Sequence, residues 1–236
     1  MSIESALIFG AGFGTRMGDI TKITPKPMIR VLNKPLIDYA IDVILSANIQ
    51  NISVNLHHLP KQIEDHLSKF ENIQTIHEQP NILETGGGLK NALPILGSSP
   101  VVTLNSDIIW IGSNPVGSLL KSWDPKKMDA LLMLIPIQNT KEYCGQGDFY
   151  LDSDNLLTRR GNKPNAPYVY TGAQIIKTEL LSNINEKSFS INLLWNEILD
   201  KMIFSFEQIN QEDSDDKFWI VKPVLDLKDY PEDKGK

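Results

Sequence analysis

Short apolar runs alternate with amphipathic stretches through the first half of the chain. Ala6-Leu7-Ile8-Phe9 is a continuous apolar run, the pattern of a strand covered on both faces. Leu36, Ile37, Ala40, Ile41, Ile44 and Leu45 recur at helical spacing, with Asp38 and Asp42 outward, and predict a helix over residues 36–47. Ile52 to Leu56 reads as a second strand. Residues 61–70 read as a helix with Pro60 before its first turn, and Ile73 to His77 as a third strand. Pro100 to Asp107 is a further buried strand that ends in an acid. Strands alternating with helices in this way predict a parallel sheet with right-handed crossovers.

Beyond Ser113 the rhythm changes. A helix is expected over residues 115–123 and a buried strand over 130–135. Shorter strands follow at 147–151, 156–160 and 168–176, with turn signals between them. This half reads as α+β and is expected to lie over the first sheet. Leu193, Leu194, Trp195, Ile198 and Leu199 form the apolar face of a late helix and read as core. The fold class expected is α/β: a mixed, mostly parallel sheet flanked by helices, with a smaller α+β region.

Chemistry concentrates after the first strand. Gly10, Gly12 and Gly14 alternate with Ala11 and Phe13, followed by Thr15 and Arg16. Such a turn points N–H groups into one concavity, which suits phosphate oxygens. Arg16 adds a fixed fork of donors. Lys26, held between Pro25 and Pro27, adds a point charge. Two other phosphate loops are excluded. A P-loop ends in Gly-Lys-Ser/Thr, and the dinucleotide fingerprint is G-x-G-x-x-G; this turn has neither. Asp107, at the carboxyl end of a strand, is placed to hold Mg²⁺ against phosphates or to cap the next turn. Glu84-Thr85-Gly86-Gly87-Gly88 opens a helix. The glycines form either a platform for a flat nucleobase, with the Gln79 amide at its edge, or a tightly packed helix start.

Composition narrows the partners. The chain has 236 residues and a net charge of −6, which disfavours nucleic acid while allowing a local basic pocket. The single cysteine, Cys144, rules out an internal disulfide and reads as inert. His57 and His58 are expected on opposite faces of a strand end and, with His66 and His77, make no metal cluster. No apolar run is long enough to span a bilayer, and the N-terminus lacks the pattern of a signal peptide. The cytoplasm is the expected location.

The stretch from Phe9 to Met17, followed by Pro25-Lys26-Pro27, resembles the double signature of the sugar-1-phosphate nucleotidyltransferases, with Gly10 where the family has alanine. Gln79 and Leu83-Glu84-Thr85 align with the family's base-binding loop. The form E-T-G-G-G is similar to the N-acetylmuramate 1-phosphate uridylyltransferases in particular. The resemblance implies a Rossmann-like fold and transfer of a nucleotidyl group, UMP from UTP, to a sugar 1-phosphate with release of pyrophosphate and with Mg²⁺ as cofactor. It implies that Gly10, Ala11, Gly12, Gly14, Thr15, Gln79, Thr85 and Gly86 bind the nucleotide. Arg16 and Lys26 would be catalytic, and Asn105-Ser106-Asp107 would supply the metal acid Asp107. Asp148, Thr171 and Gly172 are the implied sugar contacts. Lys163, in Asn162-Lys163-Pro164, would approach the sugar phosphate, with Asn162 where glutamate is usual. One domain over residues 1–236 would divide into a nucleotide half, 1–113, and a sugar half, 114–236. A mannose-1-phosphate guanylyltransferase and a nucleotide- or sugar-binding regulator with reduced turnover are the alternatives. The resemblance weakens near the end: Val221 stands where the family has a second metal acid, and valine does not bind a cation. Either Asp107 holds the metal with water and phosphates, or Asp226 takes over, or catalysis is weakened.

Overall fold

A computed structural model describes residues 3–97, 99–140, 143–152, 157–199, 203–207 and 217–220, the last two segments as backbone. In chain order the elements are β1 (Ser5–Phe9), α1 (Ile20–Ile23), β2 (Arg30–Val31), β3 (Lys34–Pro35), α2 (Leu36–Ser46), β4 (Asn51–Leu56), α3 (Pro60–Leu67), β5 (Ile73–His77) and α4 (Glu84–Leu96). There follow β6 (Val101–Asn105), β7 (Ile108–Ile111), α5 (Pro115–Ser122), β8 (Met128–Pro136), β9 (Phe149–Leu151), β10 (Leu157–Arg159), β11 (Tyr168–Ile176), α6 (Ile191–Leu199), β12 (Ile203–Glu207) and β13 (Lys217–Ile220).

One mixed sheet carries the structure, in the order β10-β9-β11-β6-β1-β4-β5, with β8 beside β11 and β12 beside β8. The β6-β1-β4-β5 segment is parallel, as the βαβ rhythm requires. β11 then pairs antiparallel with β6, Ala173 opposite Leu104. The second half therefore continues the first sheet rather than lying over it, a correction to the expectation above. The reason is edge pairing: β6 has one free edge beside β1, and β11 fills it with a full ladder of hydrogen bonds.

Strand alternation sorts the core into two layers. Ala6 and Ile8 of β1 point to α2, α3 and α5, packing with Ile41, Ile63 and Leu119; Leu7 points the other way, to α4 and α6, with Leu89, Leu194 and Trp195. Leu36, Ile37, Ala40, Ile41 and Ile44 of α2 are fully buried, as its periodicity predicts. Each large side chain of that set contributes about 1.5–3 kcal/mol on burial. Asp38, expected outward, is instead largely covered, its side chain 15% exposed, and His66 Nε2 lies 2.5 Å from Asp38 Oδ1. Desolvation of both groups offsets much of what such a pair gains, so the apolar face of α2 remains its main hold on the sheet. Among the described residues no helix is long and apolar enough to cross a membrane.

Candidate active site

The carboxyl ends of β1, β4 and β6 open into one cavity of about 840 Å³. Ala11, Gly12, Gly14, Thr15 and Arg16 form one rim, Lys26 and Asp107 lie on the floor, and Glu84, Thr85 and Asp148 stand on the far side. A side cavity of about 250 Å³ continues past Thr85, Asn105, Asp148 and Tyr170 towards Arg159, Asn192 and Trp195.

The glycine turn is built in two parts. Its root is fixed: the Gly10 amide donates to Asn55 Oδ1 at 2.9 Å. That N–H is turned to β4 and not to a phosphate, which corrects the reading of Gly10 as a direct contact. Its rim is open. Gly14 adopts φ 62° and ψ 26°, a conformation glycine reaches without strain, and starts the single turn Thr15–Met17. Thr21 Oγ1 donates to Gly18 O at 3.0 Å and steadies the turn from below. Arg16 is exposed at the mouth. Lys26 Nζ donates to Asp107 Oδ2, forming a partly buried ion pair. The two residues that sequence assigned to the phosphates and to the metal are thus paired with each other here.

At residues 78–79 the inward position belongs to Glu78, to which the sequence assigned no role, and not to Gln79. Gln79 is exposed and outside both cavities. Glu78 is 1% exposed and faces inward. Its Oε1 accepts from Asn55 Nδ2 at 2.6 Å, and its Oε2 accepts from the Leu83 amide at 2.7 Å. A chain of hydrogen bonds therefore runs from the glycine turn through Asn55 and Glu78 to the start of α4. Neither residue carries a signature by itself. Their polar character inside a strand and at a strand end was the available signal.

The three glycines of α4 resolve towards packing. The Gly86 and Gly87 amides donate to Phe189 O at 2.9 and 3.0 Å. A Cβ on Gly87 would sit 2.2 Å from the Lys187 carbonyl oxygen, and one on Gly86 would sit 2.4 Å from the Phe189 ring. Gly86 is buried and does not line the cavity, so it is corrected from a base platform to a seat for residues 187–189. Thr85 does line both cavities, with its Oγ1 accepting from the Ile191 amide at 2.9 Å. Gly87→Ala should accordingly destabilise the fold by about 1–3 kcal/mol, because backbone and not a side-chain end must move. Urea unfolding of the two proteins measures it; an unchanged midpoint would contradict the packing.

On the sugar side Asp148 lines both cavities, and its Oδ2 accepts from the Tyr170 amide at 2.9 Å. Thr171 is 1% exposed, and its Oγ1 donates to Met133 O at 2.8 Å. It faces β8; its neighbours Val169 and Tyr170 are the cavity residues. Gly172 lies beneath the Asn105 side chain, outside both cavities. Lys163 is exposed, with Nζ 4.2 Å from the Tyr150 ring centroid, and lines neither cavity. Burial pushes the Tyr143 phenol up, helped by Asp148, and pushes the Tyr170 phenol well up against the opposing effect of its hydrogen bond with Thr103. Both rings therefore stay neutral through the physiological range. Burial lowers Arg159 from the ordinary arginine value, with Asp148 acting the other way.

Trp195 is both core and site. It is 4% exposed, yet it floors the side cavity, where its Nε1 donates to Gln174 Oε1 at 2.9 Å. Cys144 is exposed on the rim of the main cavity. The strand β4 stops at Leu56, so strand alternation does not govern His57 and His58. Both rings approach Phe13, with centroids 5.4 Å away in each case. Val221 and Asp226 lie outside the described residues. The last described residue, Ile220, pairs with Ile108, which directly follows Asp107.

The residues fit a single magnesium ion. Asp107 is a carboxylate on the floor at the carboxyl end of β6, beside the rim that would carry phosphates. Among the described residues no three potential ligands cluster. Magnesium is well served by one or two carboxylates with water and phosphate oxygens.

The nucleotidyl transferase family model matches residues 5–219. The N-acetylmuramate alpha-1-phosphate uridylyltransferase of Caulobacter vibrioides is 35% identical over 198 residues, covering 80% of this chain and 82% of its own. Its counterpart in Neisseria meningitidis serogroup B is 32% identical over 187 residues, covering 78% and 79%. The crystal structure of HddC from Yersinia pseudotuberculosis, complexed with GMP-PN, shares the fold with a TM-score of 0.71 at 20% identity, over 92% of this chain and 93% of that one. With the glycine turn, Arg16, Lys26 and Asp107 gathered around one cavity inside that matched span, the chain belongs to the nucleotidyl transferase family.

Proposed function

We propose that the protein transfers UMP from UTP to a sugar 1-phosphate, giving a UDP-sugar and pyrophosphate. The observation that carries this reading is the joined pair of cavities. A phosphate-suited rim with two cations opens directly into an aromatic-floored side cavity large enough for part of a sugar. The uridylyltransferase relatives supply the choice of base. Residues 1–113 would hold the nucleotide and residues 114–236 the sugar, with Thr85 and Asp148 at the seam.

In this reaction an oxygen of the sugar phosphate attacks the α-phosphorus in line. The bond from that phosphorus to the bridging oxygen breaks, and pyrophosphate leaves with the electron pair. Little covalent help is required; positioning and charge neutralisation dominate. The open N–H groups of Gly12 to Thr15 would line the triphosphate. Arg16 would meet the leaving phosphates with its fork. Lys26 would turn from Asp107 to the phosphates. Asp107 would hold Mg²⁺, whose charge when bound offsets that of the phosphates.

Pyrophosphate release by the full chain tests the reading, with UTP, GTP and dTTP against a set of sugar 1-phosphates. UTP should give the highest kcat/KM. Preference for GTP with mannose 1-phosphate would replace the reading with a guanylyltransferase. Nucleotide binding without pyrophosphate release from any pair would replace it with a binding protein.

A further inference from the structure

The side cavity is lined by one cation, Arg159, and one acid, Asp148. Its floor is Trp195, with the Phe149 and Tyr170 rings edge-on at 5.7 and 4.9 Å between centroids. Several polar groups around it are already engaged. Gln174 Nε2 donates to Thr103 Oγ1 at 3.0 Å, and Gln174 Oε1 accepts from Trp195. Thr85 Oγ1 and Asp148 Oδ2 each accept a backbone amide.

Arg159 stands apart. Its guanidinium lies 5.9 Å from the Trp195 ring centroid and lines the side cavity. Among the described residues its hydrogen bond is one long contact, from a terminal nitrogen to Asn196 Oδ1 at 3.3 Å. The adjacent Arg160 is the contrast, since it donates to the carbonyls of Gly147, Gly161 and Lys163. Asn192 borders the same cavity. Asp148 is the acid whose field reaches Arg159, and one of its oxygens is already held by the Tyr170 amide.

We propose that Arg159, with Asn192 beside it and Trp195 beneath, is a specificity site for a carboxylate carried by the acceptor sugar in addition to its 1-phosphate. This rests on the sugar-1-phosphate reading. A guanidinium half removed from water meets a carboxylate through two parallel hydrogen bonds and regains what burial cost it. A neutral sugar of the same frame would cover the cation without pairing it, and a site whose polar groups are left unpaired discriminates strongly. Asp148, nearer the main cavity, suits a sugar hydroxyl, so acid and hydroxyl ends of the sugar would be ordered along the cavity.

N-acetylmuramate 1-phosphate and N-acetylglucosamine 1-phosphate differ by an acidic ether substituent and supply the test. Steady-state kinetics with UTP on wild type, Arg159→Gln and Arg159→Lys should show KM for the acidic sugar raised about 10- to 100-fold in the Gln variant, the range of one or two charged hydrogen bonds. The Lys variant should fall between, because it keeps the charge and loses the fork. KM for the neutral sugar should hold or fall in the Gln variant, because the unpaired cation that this sugar would cover is gone, so the two sugars should respond in opposite directions. Equal losses on the two sugars, or no loss on either, would overturn the assignment. If wild type turns over neither sugar, the functional reading fails. Calorimetric binding of the two sugar phosphates then judges the site: binding of the acid that is tighter and lost in Arg159→Gln upholds it, and equal binding overturns it.

Discussion

Asp107→Asn should lower pyrophosphate release by about 10²–10³-fold, the cost of removing one electrostatic stabiliser from a phosphoryl-type transition state. The expected signature is a split between rate and affinity. The floor of the cavity loses a negative charge beside the position of the phosphates, so KM for the nucleotide should hold or fall while kcat collapses. Stability should change little, because the partner lost is Lys26 in a pair still open to water on one side. Raising Mg²⁺ should recover part of the rate, since an amide oxygen is a weak ligand where a carboxylate is a strong one. Full activity at low magnesium in this variant would remove Asp107 from the metal, and Val221 and Asp226 would then be the positions to examine.

The second large effect is expected at Arg16. Arg16→Ala should cut turnover by about 10²–10³-fold with thermal unfolding unchanged. The residue lies exposed at the cavity mouth, in a turn secured by Gly14 and Thr21, so no packing is lost with the side chain. Arg16→Lys should recover only a minor share, because a point charge lacks the planar fork. Near-normal kinetics in Arg16→Ala would place the pyrophosphate elsewhere.

Much of this was legible in the chain. The parallel segment β1, β4, β5 and β6 followed from apolar runs set between periodic helices, because burial on two faces leaves that trace in sequence. Arg16, Lys26, Thr85, Asp107 and Asp148 are singled out by the sequence, and the fold brings all five to the lining of one cavity. The misses share a cause: their value lies in contacts made far along the chain. Asn55 and Glu78 matter through each other, 23 residues apart. Gln79, assigned to the base edge, lies outside the cavity while its neighbour Glu78 lines it, since successive residues of extended chain face opposite ways. The ladder of β7 lies with residues 217–220, too distant for periodicity to register. The periodicity of α6 identified its buried face but not that Trp195, on that face, also borders a cavity.

The antiparallel ladder between β6 and β11 constrains how this molecule moves. A two-lobed enzyme often shuts on its substrates by rotating one lobe about a hinge. Here the two halves share one set of backbone hydrogen bonds, with apolar layers bridging the joint on both sides. Any such rotation would tear the ladder and shear both layers at once. Motion during turnover is therefore expected at the exposed turn of residues 12–17 rather than across the shared sheet. The order in which nucleotide and sugar enter would then depend on that turn, which borders the main cavity, more than on any rearrangement of the two halves.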